Sequence, residues 1–559
     1  MDNQSFGDEF DIHEVLPDAM PPSTALLDFE IKLENLPETA KLTQALLASG
    51  SDFFSRGDMS VIVRRSPESG GFYCKAANCQ IIIAAVHDLV RPVTKDRNGK
   101  LKAITYPLSA ARLVEILDPA RYRSLRGFSS SPILRASGEI IAVEGYDAIS
   151  QLYCYGIPQV NVSAHPRRAQ ANAALHVLRD FLKTFPFAGA KTTAADGHTV
   201  NDLDLPPGEG ESCALVALLT AILRPSLPAA PGILIGAPAI TGSGAGKGLF
   251  ARVISAIAYG EKPSPFTAGH NREELEKRLS AALQAGGQII FLDNLNGVTL
   301  RSDTLASAIT EQPARVRVLG RSEMVPLNCS CLVIITGNGL TVSEDLARRI
   351  IRCDLEPQCE DAEARSFERN ILDDAFARRA ELLSAALTIW RWGIENSLPR
   401  GLPLGGFETW AQWCRDPLVA LGCADPVAKL RENKQNDPRR RELAELFEKW
   451  LLHHGTSPMC AADLDEDVTQ LLDPQSRGRQ YIVSKLARLA GSRACGMVMS
   501  RQPKETKWGT DEYALEHASI GAEPPNDSQS KPEDSARKPA GGLRYWREHD
   551  GKGGWRYTP

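Results

Sequence analysis

The sequence predicts a multidomain α/β protein built around a parallel β-sheet. The chain has 559 residues, more than a single hydrophobic core usually accommodates, so several domains are expected. Hydrophobic residues make up 43% and charged residues 24%, which is enough apolar material for most of the chain to fold. Between about residues 205 and 360, apolar strand patterns alternate with helical patterns. This alternation is typical of a parallel sheet flanked by helices.

The N-terminal third predicts an α+β accessory domain preceded by a tail. Residues 1–25 show no periodicity and are interpreted as a flexible tail, and residues 26–190 form the accessory domain. SVIVRR and QIIIAAV are typical of short strands, YPLSAARLVEIL has the apolar spacing of a helix, and NAALHVLRDFLKTFP predicts a second helix. The Gly- and Pro-rich stretch KTTAADGHTVNDLDLPPGEGE then indicates a linker or surface loop.

The C-terminal part predicts a helical connector and a small winged-helix-like domain. Residues 361–454 have helical periodicity and form the connector. Residues 455–559 contain the helix pattern SRGRQYIVSKLARLAG, the strand pattern CGMVMSR and the terminal strand pair GLRYWREHDGKGGWRYTP. A polar stretch at about 510–541 is interpreted as a disordered insertion.

Composition excludes several classes of protein. A net charge of -5 argues against a chain that coats nucleic acid along its whole surface, so any DNA contact is expected to be local. The 12 cysteines are scattered without paired zinc-ligand spacing, which favours reduced structural thiols. The acidic, polar N-terminus and the lack of a run of ~20 apolar residues predict a cytoplasmic location.

The segment GILIGAPAITGSGAGKGLFARVISAIAYG combines a strand, a glycine-rich loop and an amphipathic helix. Glycines allow the loop to turn its amide N–H groups inward, where the positive end of the helix also points, and Lys247 adds an ammonium group. The pattern predicts a P-loop that binds nucleotide phosphates, although a plain strand-to-helix turn is the alternative. The predicted phosphate-binding residues are Gly242, Ser243, Gly244, Ala245, Gly246, Lys247 and Gly248.

The loop departs from the usual G-x-x-x-x-G-K-[ST] pattern at two positions. Thr241 stands at the first glycine position, and Gly248 replaces the hydroxyl residue that usually binds magnesium. We therefore expect nucleotide binding more firmly than nucleotide turnover.

A second motif, QIIFLDNLNG, places Asp293 at the end of an apolar strand. A carboxylate in that position can bind a magnesium ion or its water ligands, so Asp293 is the predicted metal residue. Any parallel sheet can contain such a strand, and the pairing with Lys247 is what favours the functional interpretation. Asn294 follows where many motor ATPases have a glutamate base, and an amide can orient water but cannot accept its proton.

A third motif is CLVIITGNGLTVSEDLARRIIRCDLEP, which predicts a strand carrying Asn338 near its end and a short helix carrying Arg348 and Arg349. Asn338 could orient the attacking water, and one arginine could reach a neighbouring subunit's nucleotide. The alternatives are a turn-capping asparagine and arginines on a solvated helix face.

The order GSGAGKG, IIFLDN, TGN and DLARR is similar to AAA+ and superfamily III helicase domains, especially those of primase-helicase proteins of phages and mobile elements. The resemblance covers roughly residues 50–500, with its sharp motifs within 236–352. It implies ATP and Mg²⁺ as cofactors, a homo-oligomeric ring of six subunits, and ATP-driven DNA unwinding or translocation. It also implies that Lys247 and Asp293 bind nucleotide and metal, that Asn338 is a sensor, and that Arg348 or Arg349 is the arginine finger.

Two regions are candidates for DNA contact. The stretch from Arg477 to Trp508 holds eight basic residues and one acidic residue, and its predicted helix could place Arg488 or Arg493 against DNA. VRVLGRSEMV could form a β-hairpin that points Arg317 or Arg321 into a central pore. A solvated basic face and a purely structural hairpin are the alternatives.

The sequence thus predicts an ATP-dependent DNA helicase or translocase that replicates a phage or mobile genetic element and binds single-stranded DNA or a replication origin. One alternative is a nucleotide-gated DNA-binding initiator with weak or no ATP hydrolysis. A more distant alternative is an ATPase that remodels other proteins.

Overall fold

A computed structural model describes residues 26–50, 52–67, 70–195, 198–239, 242–267, 271–318, 323–357, 369–428, 430, 438–503, 510–517, 546–549 and 555–558. The predicted tail at 1–25 lies outside these residues. The chain divides into two compact units, residues 1–434 and residues 435–559. No helix within the described ranges is both long and apolar enough to cross a membrane.

The first part of the N-terminal unit is an α+β arrangement of short strands and three helices. β1, β5 and β6 form a three-stranded sheet, and β4, β3, β2 and β7 form a four-stranded sheet. Apolar residues of α1, α2 and α3 form one buried cluster with Ile31, Phe53 and Tyr106. The elements are β1 Asp28–Glu30, α1 Leu36–Gly50, β2 Phe53–Arg56, β3 Met59–Arg65, β4 Phe72–Ala76, α2 Cys79–Leu89, β5 Arg91–Lys95, β6 Leu101–Ala103, α3 Leu108–Ile116 and β7 Arg123–Ser124.

The prediction of a strand at QIIIAAV is wrong, because this segment forms most of helix α2. The Asn78 side chain caps the helix by accepting a hydrogen bond from the Ile81 amide. Ile82, Ala85 and Val86 are buried at helical spacing. Packing of this face and the cap override the β-branched composition that suggested a strand.

Short strands then lead into a long helix and a hairpin. The strands are β8 Gly127–Ser129, β9 Ile133–Leu134, β10 Ile140–Ile141, β11 Gly145–Asp147 and β12 Leu152–Cys154, followed by helix α4 Arg168–Leu182. The stretch predicted as a linker or loop contains two paired antiparallel strands, β13 Thr192–Ala195 and β14 His198–Asn201. Their Thr and Val residues support a short ladder, and the Gly and Pro residues that suggested a loop lie mostly after the second strand.

The central sheet has five parallel strands, so the predicted multidomain α/β class is confirmed. Its spatial order is β16, β17, β21, β15, β23, and β21 therefore lies between the strand before the glycine-rich loop and the strand before Asp293. Asn271 caps α7 by accepting from the Glu274 amide, and left-handed Gly286 ends it. The elements are α5 Glu209–Leu223, β15 Gly232–Ala237, α6 Lys247–Tyr259, β16 Pro265–Phe266, α7 Arg272–Ala285, β17 Ile289–Leu292, β18 Thr299–Leu300, α8 Asp303–Thr310, β19 Ala314–Arg317, β20 Met324–Leu327, β21 Leu332–Asn338, β22 Thr341–Val342, α9 Glu344–Ala347 and β23 Ile350–Asp354.

Helices close the first unit. Helix α11 packs on α4 and α6, and its Trp390 is fully buried in the same core cluster as the central sheet. The elements are α10 Ile371–Ala377, α11 Arg379–Glu395, α12 Glu408–Trp410, a π-helical turn Ala411–Arg415 and α13 Asp416–Ala420.

The described residues of the second unit form three helices, an antiparallel sheet ordered β24, β27, β26, β25 and a separate antiparallel pair, β28 and β29. The proposed insertion does not begin at 510, because Glu512–His517 pairs with Met497–Gln502. Tyr513, Ala514 and Leu515 of this strand are buried, which explains the pairing, and residues 518–541 lie outside the described parts. The winged-helix interpretation stays a prediction. The elements are α14 Pro438–His454, β24 Met459–Cys460, α15 Glu466–Leu472, α16 Arg479–Leu489, β25 Arg493–Ala494, β26 Met497–Gln502, β27 Glu512–His517, β28 Trp546–His549 and β29 Trp555–Thr558.

A polar network joins the N-terminal strands to the central sheet within the first unit. Glu261 follows α6, and its Oε1 lies 3.5 Å from Nε2 of Gln288, which also donates to the Tyr155 hydroxyl at 2.9 Å. The nearby Arg379 guanidinium is the facing positive charge. Burial raises the pKa of Glu261 to about 7, although Gln288 and Arg379 act in the opposite direction.

This raised pKa predicts that Glu261 makes folding less favourable as pH rises. The folded state binds the proton more tightly than the unfolded state, so stability is fully present below the ordinary carboxyl pKa and is lost as pH approaches 7. Glu261→Gln should therefore gain roughly 1–3 kcal/mol of stability over the wild type between pH 5 and 8. Melting temperatures of both proteins across this range measure the gap. The exposed control Glu34→Gln should show no such trend, and a constant gap for Glu261→Gln would contradict the expectation.

Candidate nucleotide-binding site

Three neighbouring strands of the central sheet end at the same edge, and their last residues and following loops form the candidate site. β15 leads into the glycine-rich loop, β17 leads into Asp293, and β21 carries Thr336 and Asn338. Parallel strands place their carboxyl ends together, and this edge is where open α/β sheets bind ligands. The three predicted motifs are therefore adjacent in the fold.

The glycine-rich loop has the backbone shape that its sequence predicts. Gly244 and Gly246 adopt left-handed φ values of 69° and 92°, which favour glycine. A Cβ at Gly242 would lie 2.3 Å from the carbonyl oxygen of Pro238, so a larger residue does not fit there. Helix α6 starts at Lys247 directly after the loop, and the described part of the loop therefore lies at the positive end of a helix dipole. Ser243 is exposed and Ala245 is buried within this turn.

Lys247 is half-buried and points back over the loop. Its ammonium group donates a 2.7 Å hydrogen bond to the carbonyl oxygen of Gly242. Burial lowers the pKa of Lys247, and the nearby Asp293 carboxylate opposes that shift. The ammonium group therefore lies at the mouth of the loop, within electrostatic range of Asp293.

Asp293 is held at the strand edge by its neighbour on β21. The buried Thr336 hydroxyl donates a hydrogen bond to Asp293 Oδ1 at 2.5 Å and accepts one from the backbone N–H of Asn294 at 3.0 Å. Asn294 has a φ of 62°, a left-handed conformation that asparagine tolerates better than most residues. Its side-chain Oδ1 accepts from Asn296, so Asn294 is tied into the turn that follows Asp293.

Asn338 ends β21 beside the loop. Its amide N–H donates to Asn296 Oδ1 at 2.7 Å, which fixes the strand end to the turn after Asp293. Its side-chain Oδ1 is buried and has no hydrogen-bond partner among the described residues. That atom lies 2.9 Å from where a Cβ of Gly242 would be. A buried polar atom left unpaired at a sheet edge is compatible with a ligand or water contact.

The two predicted finger arginines follow a helix that is shorter than predicted. Helix α9 ends at Ala347, and Arg348 is its C-terminal cap rather than a helical residue. Both guanidinium groups contact the Asp345 carboxylate within the same chain. Arg348 has 61% of its side chain exposed and Arg349 only 15%, so Arg348 is the more accessible of the two.

Arg252, one turn after Gly248 on α6, was missed by the sequence interpretation. Its Nη2 lies 3.6 Å from Asp293 Oδ2, and its guanidinium lies 5.8 Å from the Phe291 ring centroid. Its Nη1 is 2.8 Å from the position that a Cβ at residue 248 would take. The available sequence signal was the four-residue spacing on one helix face.

These residues fit an anionic phosphate group and fit a divalent cation poorly. Inward-turned glycines, a helix N-terminus and Lys247 suit phosphate oxygens. Mg²⁺ prefers octahedral oxygen ligands, but residue 248 offers no hydroxyl, and Asp293 already contacts Thr336 and Arg252. Asp293, the carboxylate predicted to bind magnesium, is therefore already engaged by protein partners in this structure.

Three of the four predicted DNA-contact residues lie within the described parts of the chain, and all three are exposed. Arg317 is exposed on β19, in a hairpin with β20 that confirms the predicted strand pairing, and Arg321 lies outside the described residues. In the second unit Arg488 is exposed on α16, and Arg493 is exposed on β25. None of these positions tests DNA binding.

No known protein family and no curated protein matches the sequence. Solved structures similar to this chain include the apo NrS-1 C-terminal region, at 12% identity and a TM-score of 0.31, covering 85% of this chain and 98% of that one. The SCCmec type IV Cch active helicase has 12% identity and a TM-score of 0.28, covering 82% and 94%. The JCV helicase has 12% identity and a TM-score of 0.18, covering 51% and 73%. TM-scores this low do not establish a common fold.

Proposed function

We propose that this chain binds ATP at the edge of its central sheet and uses it to drive a helicase or translocase acting on DNA. The observation that carries the proposal is the convergence of Lys247, Asp293 and Asn338 at one edge of a five-stranded parallel sheet. Lys247 lies after β15, Asp293 directly follows β17, and Asn338 is the last residue of β21, so the three residues are far apart in sequence.

The chain's own residues divide the work. Loop amides and the α6 terminus bind phosphate oxygens, while Lys247 leaves the Gly242 carbonyl and neutralises phosphate charge. Asn338 orients a water molecule by accepting its hydrogen through the unpaired amide oxygen, or, after rotation of the amide, donates from its NH₂ group to a terminal phosphate oxygen. ATP supplies a phosphoanhydride bond whose cleavage provides energy for movement along DNA.

We expect ATP turnover to be limited by removal of the proton from the attacking water. Asn294 stands beside Asp293, and its amide cannot accept a proton from water. Asp293 is the carboxylate at the site, and it is shared with Thr336 and Arg252. We therefore expect slow hydrolysis by the isolated chain and faster hydrolysis in an assembly on DNA.

The assembly part of the proposal rests on Arg348. Within the described residues, its exposed guanidinium pairs with the exposed Asp345 carboxylate, and such surface pairs exchange at little cost. In a ring of identical subunits it could leave Asp345 and contact a neighbour's nucleotide. The motif order, similar to phage and mobile-element helicases, supports a ring of six and a role in replicating such an element.

A second function, a nucleotide-gated DNA-binding initiator, is favoured by two positions. Gly248 and Asn294 replace the hydroxyl and carboxylate groups that efficient hydrolysis uses. A chain of this kind would bind ATP without cycling.

The experiment that separates these functions is ATP turnover by the full chain with and without single-stranded DNA. The motor proposal expects DNA to raise the rate at least about fivefold, as electrostatic DNA binding promotes assembly. Arg488→Ala combined with Arg493→Ala should reduce the stimulation and weaken the salt dependence of DNA binding. Tight ATP binding without turnover would favour the initiator. A chain that neither binds DNA nor responds to it contradicts both.

A further inference from the structure

The guanidinium of Arg252 lies beside Asp293, the residue that the sequence predicts to bind a divalent cation. Its Nη2 lies 3.6 Å from Asp293 Oδ2, and 35% of its side chain is exposed. The guanidinium also lies 5.8 Å from the centroid of the Phe291 ring, within the range of a cation–π contact. A positive charge therefore already lies at the aspartate, supplied by the chain itself.

Glycine at position 248 leaves room for the Arg252 guanidinium in its present position. A Cβ there would lie 2.8 Å from Arg252 Nη1 and 3.6 Å from Asp293 Oδ1. The same geometry means that a hydroxyl residue at 248 would project toward Asp293, into the space that the guanidinium fills. Residues 248 and 252 are one helical turn apart on the same face of α6. The face that lacks a hydroxyl at residue 248 therefore carries the guanidinium of Arg252.

Chemistry favours phosphate as the natural partner of this guanidinium. Arginine presents a planar set of donors that matches phosphate oxygens, and it stays positively charged. Lys247 lies on the same helix, one residue before Gly248, and faces the same carboxylate electrostatically. Together the two side chains bring two positive charges to the mouth of the loop, opposite a highly negative triphosphate.

We propose that Arg252 replaces the divalent cation in nucleotide binding, so that the site binds free ATP without Mg²⁺. This inference rests on the proposed nucleotide site. Gly248 provides the space, Asp293 positions the guanidinium, and Arg252 then contacts the terminal phosphate groups as the built-in cation.

Calorimetric titration of the full chain with ATP, once in excess EDTA and once in excess MgCl₂, tests this proposal. The wild type should bind in both conditions, with dissociation constants within about fivefold. Arg252→Met should weaken binding in EDTA by about 10- to 100-fold, the loss expected for a charge-assisted contact, and Mg²⁺ should largely restore it. Arg121→Met, an exposed arginine of the N-terminal part, is the control that should change neither constant.

Gly248→Ala provides an independent variant that keeps Arg252. Its φ lies outside the left-handed region, so alanine suits the helix, and the added Cβ requires the tip of the guanidinium to move. Its binding in EDTA should weaken in the same direction as in Arg252→Met, and by less. Wild-type binding that requires Mg²⁺, or equal binding by Arg252→Met in EDTA, overturns the inference and leaves the nucleotide site standing. Failure to bind ATP in either condition overturns both the inference and the proposed function.

Discussion

Lys247→Ala is expected to abolish measurable ATP binding, lowering affinity at least about 100-fold. Its ammonium group reaches back over the glycine-rich loop, 2.7 Å from the Gly242 carbonyl oxygen. Two charge-assisted hydrogen bonds to phosphate contribute about 3 kcal/mol together, which corresponds to this change in affinity. Loss of the ammonium group would also leave the Gly242 carbonyl oxygen facing the phosphate oxygens with no hydrogen-bond donor between them.

The matched control for this substitution is Lys262→Ala. Lys262 is exposed just beyond the other end of the same helix, so the charge change is identical. Calorimetry should give wild-type ATP affinity for Lys262→Ala, and melting temperatures should match for all three proteins. Wild-type affinity in Lys247→Ala would contradict the location of the site at this loop.

Much of the sheet edge could be predicted because local pattern and topology agree there. A run of apolar residues that ends in a polar one predicts a buried parallel strand whose tip is exposed, and Asp293 and Asn338 both follow this pattern. The glycines and Lys247 add a loop shape that few other functions require. Strand order then brings the three tips together, with Thr336 between the loop and Asp293.

The parts that could not be predicted depend on contacts between segments distant in sequence. QIIIAAV forms a helix because tertiary packing and the Asn78 cap outweigh its β-branched residues. Glu261 gives no signal in the sequence, since its raised pKa comes from burial near Tyr155 and Arg379, each more than 100 positions away in the chain. In the sequence Arg252 resembles any arginine on a helix surface. Its distance of 3.6 Å from Asp293 in the structure is what indicates a place at the site.

The start of β21 depends on another buried arginine. Arg224 follows α5 and is almost fully buried, and its guanidinium donates to the carbonyl oxygens of Cys331 at 3.0 Å, Cys329 at 2.5 Å and Leu227 at 3.0 Å. Burial lowers its pKa. Residue 331 directly precedes β21, so Arg224 anchors the beginning of the strand whose other end carries Thr336 and Asn338. Its contribution is therefore both to stability and to the alignment of the site.

Arg224→Met should destabilise the first unit by roughly 2–4 kcal/mol. Methionine fills similar space but leaves the buried Cys331 carbonyl oxygen without its guanidinium donor, at a cost of about 1–3 kcal/mol. The carbonyl oxygens of Cys329 and Leu227 each lose one of two donors, since Gln312 and Arg126 still donate to them, and relief from burying the charge offsets part of the total. Arg224→Lys should lie between the two proteins, because one ammonium group cannot match the planar guanidinium at all three oxygens. Calorimetric unfolding measures the effect. Arg112→Met, at an exposed helix position, should have the same melting temperature as the wild type. If Arg224→Met also melts with the wild type, the guanidinium does not hold the strand, and the alignment of Thr336 and Asn338 must come from the sheet ladder alone.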